Sequence, residues 1–377
     1  MSDLLKEDVD SFYYSKAAVA IPATSALVSF FSSSLIFWLV VKSRTNSSYH
    51  RIMLFMSFWD MTLSACFAFV TIPMPKENIY DFATPSYGTV GTCNLQGFLS
   101  HFGIAMVLSS NMLLNIYYLC TLRYHVSELT MKKYIEPSFL VVFTGAALFL
   151  PLFSIQYEYF NPSIYYPSCS ITPYPTDCNN EDIPCIRGDP LSIRTSNILR
   201  AFIFFWAGSL LLTIMVSMAL IILTFVTLEQ KARRAMKRGT STEEQSCEEN
   251  GEMQSNSEGA IIFVQSNRVV TRKLTKQALM YFGAAFLSWA SLFGTIFVND
   301  GRGVAIVYRI FFPLQGFFNA LIFIYHKVDI LKRCNSNALS NWEALRMVFE
   351  KPSETPQIYI SNRRLDDDGN HGLDEDE

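Results

Sequence analysis

The chain has 377 residues, of which 50% are hydrophobic and 17% charged, with a formal net charge of −3. The apolar residues are gathered in long blocks separated by polar stretches, a pattern that excludes an ordinary water-soluble globule. A bilayer core is about 30 Å thick and a helix that crosses it needs roughly 20 apolar residues, so one integral membrane domain is expected and no nucleic-acid partner.

Residues 1–14 hold Asp3, Glu7, Asp8 and Asp10 against a single Lys6. They lack the basic start and small-residue cleavage site of a secretory signal peptide, and the first membrane helix is expected to serve as an uncleaved signal. That helix covers about Ala17 to Val41. A second covers about Ile52 to Pro73, interrupted only by Asp60, and a third runs from Cys93 to about Leu122. The fourth is about Ser138 to Ile155, the fifth about Ile198 to Val226, and the sixth about Ala278 to Val298. The seventh is about Val304 to Tyr325, with Arg309 inside it.

Orientation follows from the basic residues beside the helix ends. Arg51 follows the first helix, Arg123 and Lys132 follow the third, Arg233 and Arg234 follow the fifth, and Lys332 follows the seventh. With seven crossings these fall on one side, and the opposite loops carry Glu77, Asp81, Glu181 and Asp300. The expected fold is an all-α bundle of seven transmembrane helices, N-terminus outside and C-terminus inside. Its parts are a short extracellular N-terminus (1–16), a membrane domain (17–333) with a cytoplasmic loop (228–272), and a cytoplasmic tail (334–377). The loop around residues 240–258 and the end of the tail are too polar to offset ordering entropy. Between them Trp342, Leu345, Val348 and Phe349 recur at helical spacing and predict a short helix on the inner membrane face. The sequon Asn46-Ser47-Ser48 falls on the cytoplasmic side, where it is not glycosylated.

Cys93, Cys169, Cys178 and Cys185 fall on the oxidising side, where disulfides persist. Four cysteines allow three pairings and sequence alone does not choose. The expected pairs are Cys93 with Cys169 and Cys178 with Cys185. Cys66 and Cys120 read as packing residues, and Cys334, beside Lys332 and Arg333, as a candidate for lipidation.

A charge in the bilayer costs about 2.5–3.5 kcal/mol on insertion scales, so polar membrane residues attract functional readings. Asp60 lies roughly 12 Å into the second helix. It needs partners, and Ser57, Ser64, Asn111, Asn115 and Asn319 offer them. A carboxylate among hydroxyls and amides is a candidate Na⁺ site; the plainer reading is a protonated hydrogen bond between helices. Arg309 either lines an external ligand pocket or reaches to the surface. No set of His and carboxylate residues suits a catalytic metal, so an enzyme is not expected, nor is a resident cofactor. The seventh helix has no interior lysine for a retinal Schiff base.

Five stretches together resemble a G-protein-coupled receptor. They are Met56 to Ser64 around Asp60, Thr92 to Gly103 with Cys93, Asn115 to Glu128 with Leu-Arg-Tyr, Tyr159 to Ile171 with Cys169, and Pro313 to Phe323 with Asn319. The match covers about Ala17 to Arg333. It is most similar to the rhodopsin-like receptors of diatoms and related algae, and also to the cAMP-receptor-like group. The resemblance implies an extracellular ligand, a heterotrimeric G-protein as partner, receptor kinases and arrestin-like proteins as regulators, and the plasma membrane as location. It assigns coupling and switching to Arg123, Tyr124, Trp289, Pro313, Asn319 and Phe323, and phosphorylation to serines such as Ser241 and Ser246. The about 30 residues from Cys93 to Arg123 span about 45 Å of helix, enough to put them on opposite sides of a bilayer. The sequence departs from the family where Leu122 replaces an acid, Ala320 a proline and Phe323 a tyrosine. Two other functions compete: a transporter or channel that uses Asp60, and a receptor-like scaffold that does not couple.

Overall fold

The computed structural model describes residues 15–43, 47–77, 84–163, 166–175, 178, 184–188, 208, 211–227, 229–230, 272–289, 302–334 and 339–350. Helix α1 is Lys16–Ser43 and α2 is Ser48–Ala68; α3 is Val90–Leu122. After the turn Glu128–Thr130 and a π-helical stretch Met131–Ile135 comes α4, Glu136–Gln156. Helix α5 is Leu211–Thr227 and α6 covers 272–289. Helix α7 (Arg302–Phe311) and α8 (Gln315–Cys334) follow one another, and α9 is Asn341–Glu350.

Among the described residues three helices are long and apolar enough to cross a membrane, Lys16–Ser43, Val90–Leu122 and Glu128–Gln156. Their burial sorts them by position. The most apolar stretch of α3 is 78% buried, against 33% in α1 and 22% in the Glu128–Gln156 helix. A helix apolar and buried all round lies in the middle of a bundle, and one with an open apolar face lies at its edge. Helix α2 packs between α1 and α3, α4 lies on α3, and α8 lies on α1, α2 and α9.

Local chemistry sets the helix ends. Ser47 caps α2, its hydroxyl accepting the His50 N–H. Thr89 and Thr92 close a reciprocal capping box at α3, each hydroxyl accepting the other's backbone N–H; such boxes satisfy two orphan donors at once. Helix α9 begins the same way, with Ser340 N–H on Glu343 Oε2 (2.8 Å) and Glu343 N–H on Ser340 Oγ (3.2 Å). Those bonds hold the Glu343 carboxyl below its usual pKa, the backbone N–H of Ser340 first.

The expected seventh helix is broken. Helix α7 stops at Phe311, Leu314 N–H turns back to the Phe311 carbonyl (3.2 Å), and α8 starts at Gln315. Pro313 in the turn carries no N–H and cannot continue an α-helical ladder. Just past the break Gly316 approaches α1, its N–H donating to Ser29 Oγ (3.1 Å). A side chain there would collide with Ser29 and Ser33.

Several predicted boundaries shift. Helix α2 starts at Ser48, before the expected Ile52, because polar side chains at its first turn are paired. Arg51 makes a bidentate ion pair with Glu136 (Nε–Oε2 and Nη2–Oε1 both 2.9 Å) and donates to Ser48 Oγ (2.9 Å). The Ser48 N–H also bonds Glu128. These contacts tie the first turn of α2 to the start of α4. Glu136→Gln removes the charge that pairs with Arg51, whose side chain is 27% exposed. Breaking a fully buried pair costs about 3–5 kcal/mol; here the expected loss is about 2 kcal/mol, read as a lower melting temperature in detergent. An unchanged melting temperature would show that the pair contributes nothing.

Helix α6 likewise starts before Ala278, with Thr275 and Gln277 buried. The predicted tail helix is present as α9. It is set against the bundle by Ala344 and Val348, while Trp342 is exposed. Helices α7 and α8 together cover the predicted Val304–Tyr325 and extend it at the C-terminal end to Cys334.

Candidate functional site

The predicted residues fall into three regions along the bundle. At one end both expected disulfides are formed, Cys93–Cys169 and Cys178–Cys185. The first fastens the short antiparallel pair β1 (Phe160–Pro162) and β2 (Cys169–Ile171) over the start of α3, with Pro162 opposite Cys169. Gln96, which the sequence did not single out, holds the same junction. Its Nε2 donates to the Cys66 and Val70 carbonyls (3.0 and 2.9 Å) and its Oε1 accepts the Cys169 N–H (3.1 Å). One buried amide thus joins the end of α2, α3 and β2. Phe160 lies so close to Gly97 that a side chain at that position would overlap its ring.

Beneath this lid is an aromatic cluster. Tyr166 of the loop meets Phe67 (5.1 Å) and Tyr308 (5.7 Å), and Phe312 meets Phe67 (5.5 Å) and Trp289 (5.4 Å, edge-on). Trp289 is 4% exposed. Arg309 adjoins this cluster and is fully buried, its Nη1 donating to the Ala18 carbonyl (3.1 Å). Of its two sequence readings, the surface-reaching one does not fit a side chain without exposure.

In the middle, Asn319 Nδ2 donates to Asp60 Oδ2 (3.0 Å), joining α8 to α2 with both residues buried. Asn111 and Asn115, expected as further partners, give their amide N–H groups to carbonyls of their own helix, Val107 (2.9 Å) and Asn111 (2.8 Å). Ser57 Oγ, Asn115 Oδ1 and Asn319 Oδ1 are buried with no hydrogen-bond partner among the described residues. Buried polar atoms in that condition are ordinarily satisfied by a water or an ion. The donor set is all oxygen, which suits a hard cation rather than a soft one. Among the described residues no group of three His, Cys, Asp or Glu side chains could hold a metal; the candidate donors are one carboxylate with amide and hydroxyl oxygens.

At the far end, Arg123 caps α3 and is exposed. Its Nη1 donates to Thr224 Oγ1 of α5 (3.1 Å). Leu122 beside it is buried and Tyr124 is exposed. Phe323 is 2% exposed, with Lys327 Nζ over its ring at 5.8 Å. Cys334 ends α8; its side chain lies outside the described residues, as do Ser241 and Ser246.

No family model matches the sequence, and no curated protein matches it. Among solved structures 115 chains are similar. One is squid rhodopsin, with a TM-score of 0.57 and 12% identity, covering 92% of this chain and 93% of that one. At that identity the likeness shows the fold alone. The chain has a rhodopsin-like fold of apolar helices with two disulfides at one end.

Proposed function

We propose that this chain is a seven-span G-protein-coupled receptor, N-terminus outside, which passes an extracellular signal to a heterotrimeric G-protein at the plasma membrane. One observation carries the reading. In a fold shared along nine-tenths of the chain with squid rhodopsin, α3 bears the disulfide at one end and an exposed arginine at the other. Basic residues cluster at the Arg123 end, which suits the cytoplasmic side. The sequon serine Ser48 is buried at that same end, in keeping with an unused sequon. The motifs around Asp60 and Arg123 are the basis for grouping the chain with receptors of diatoms and related algae.

The proposed mechanism is a shift between two packings of the bundle. A ligand beneath the β1–β2 lid, against Tyr166, Trp289 and Phe312, favours one packing only as far as it binds that packing better. The break at Pro313 lets α7 and α8 move separately. Asp60 and Asn319 couple α2 to α8 midway and, with Ser57 and Asn115, form the candidate Na⁺ site. Arg123 and Tyr124 meet the G-protein, and Phe323 lies in the same buried cluster as Leu122. Receptor kinases and arrestin-like proteins are the proposed regulators, acting on the 228–272 loop, and Cys334 is the proposed lipidation site.

The test is nucleotide exchange on a Gα subunit in membranes that carry the protein, against membranes that do not. Faster exchange with the protein is the expected result. Equal rates at verified surface expression, with candidate ligands present, would remove the reading.

A further inference from the structure

We propose that Tyr49, Gln277 and Tyr281 form a latch that holds the Arg123 end of α6 against α2, and that this latch is the restraint on helix opening in this chain. Its signalling consequence rests on the receptor reading above; the latch itself does not.

Tyr49 stands in the first turn of α2. Its hydroxyl accepts the Gln277 Nε2–H at 2.8 Å and lies 3.1 Å from the Tyr281 hydroxyl. Gln277 and Tyr281 are each 2% exposed and one turn apart on the inward face of α6. Two hydrogen bonds therefore converge on one hydroxyl between the two helices. Buried polar groups that lose their partners cost more than the bonds themselves contribute, so separation of α6 from α2 is opposed.

The need for such a latch follows from Arg123. A flanking acid would restrain it by charge, but Leu122 is apolar and buried. Among the described residues the Arg123 side chain bonds only the neutral Thr224 of α5, and that contact does not involve α6. A second tie from α6, Lys276 Nζ to the Tyr325 hydroxyl of α8 (2.7 Å), is exposed to solvent and correspondingly weaker.

A latch needs an alternative state. Tyr118 of α3 is 1% exposed, its hydroxyl has no partner among the described residues, and it belongs to the core cluster against which Tyr49 packs. The Tyr49 and Tyr117 rings are 6.2 Å apart, and the Tyr117 and Tyr118 rings 5.6 Å. When α6 withdraws, the Tyr49 hydroxyl has Tyr118 to turn to. Two arrangements of one buried cluster make the discrete two-state element that a switch requires.

The experiment places spin labels at Lys132→Cys and Arg272→Cys, both exposed, on the full chain with Cys120, Cys247 and Cys334 replaced by serine. Distance distributions are read in lipid discs. Gln277→Leu is expected to raise the ratio of long to short distances about fivefold, the factor carried by one buried neutral hydrogen bond, and Tyr49→Phe, which removes both bonds, about 25-fold. Tyr281→Phe, which removes a single oxygen, gives an independent reading of the same contact. The double variant Tyr49→Phe with Gln277→Leu is expected to add little to Tyr49→Phe, because both bonds end on one hydroxyl. Unchanged distributions in Tyr49→Phe and Tyr281→Phe would overturn the latch. Longer distances without faster nucleotide exchange would uphold the latch and count against coupling.

Discussion

Replacing Cys93 with serine is expected to destabilise the protein by about 4.5 kcal/mol, the chain-entropy value for a loop of this length. Cys93 and Cys169 are separated by 76 residues, and Cys178 and Cys185 by 7. The same relation gives about 2.5 kcal/mol for the short loop, so the two disulfides are not equivalent. The long one also holds β2 where its Cys169 N–H reaches Gln96. Without it, the buried Gln96 oxygen loses a donor and the junction of α2, α3 and β2 loosens. Surface expression and melting temperature in detergent should fall much further for Cys93→Ser than for Cys178→Ser. Equal losses would contradict the assignment of the anchor to the Cys93–Cys169 bond.

Reversing the charge at Arg123 is expected to abolish coupling while leaving the fold in place. Arg123 is exposed and, among the described residues, makes one side-chain hydrogen bond, to Thr224. A hydrogen bond from a charged donor contributes about 1.5–3 kcal/mol, and an exposed one falls at the low end, so Arg123→Glu and Thr224→Val should both reach the surface. At an interface, disturbing a charged contact costs about 2 kcal/mol or more, roughly 30-fold in affinity. Exchange with Arg123→Glu should therefore fall to the rate of membranes without the protein, whereas Thr224→Val should retain activity. An active Arg123→Glu variant would move the coupling surface elsewhere.

The helices were legible because lipid imposes a simple rule: the backbone must satisfy itself within long apolar segments. That rule finds α1, α3 and α4 well. It places the starts of α2 and α6 too late, since Arg51, Thr275 and Gln277 look like loop residues and are in fact helical and paired or buried. The break at Pro313 could be read from chemistry alone, because proline has no N–H to give. The contact of Asp60 with Asn319 was also foreseeable, since a membrane carboxylate needs a partner and the choices were few. Asn111 and Asn115 turned instead to their own backbone, which an amide on a helix can always do. Gln96 and Tyr49 escaped notice because neither is charged, and their importance lies in distant partners, β2 and α6, that no local spacing announces. Gly316 escaped for the same reason, its role being the space it leaves for Ser29 and Ser33 of α1.

The central claim is that the Arg123 end of the bundle receives a G-protein. The most direct measurement mixes the purified full chain in lipid discs with a purified heterotrimer after nucleotide removal, and follows co-elution. A complex that survives without nucleotide and separates when GTP is added is the predicted result. Separate elution under every ligand condition, from protein that retains its melting transition, would contradict it.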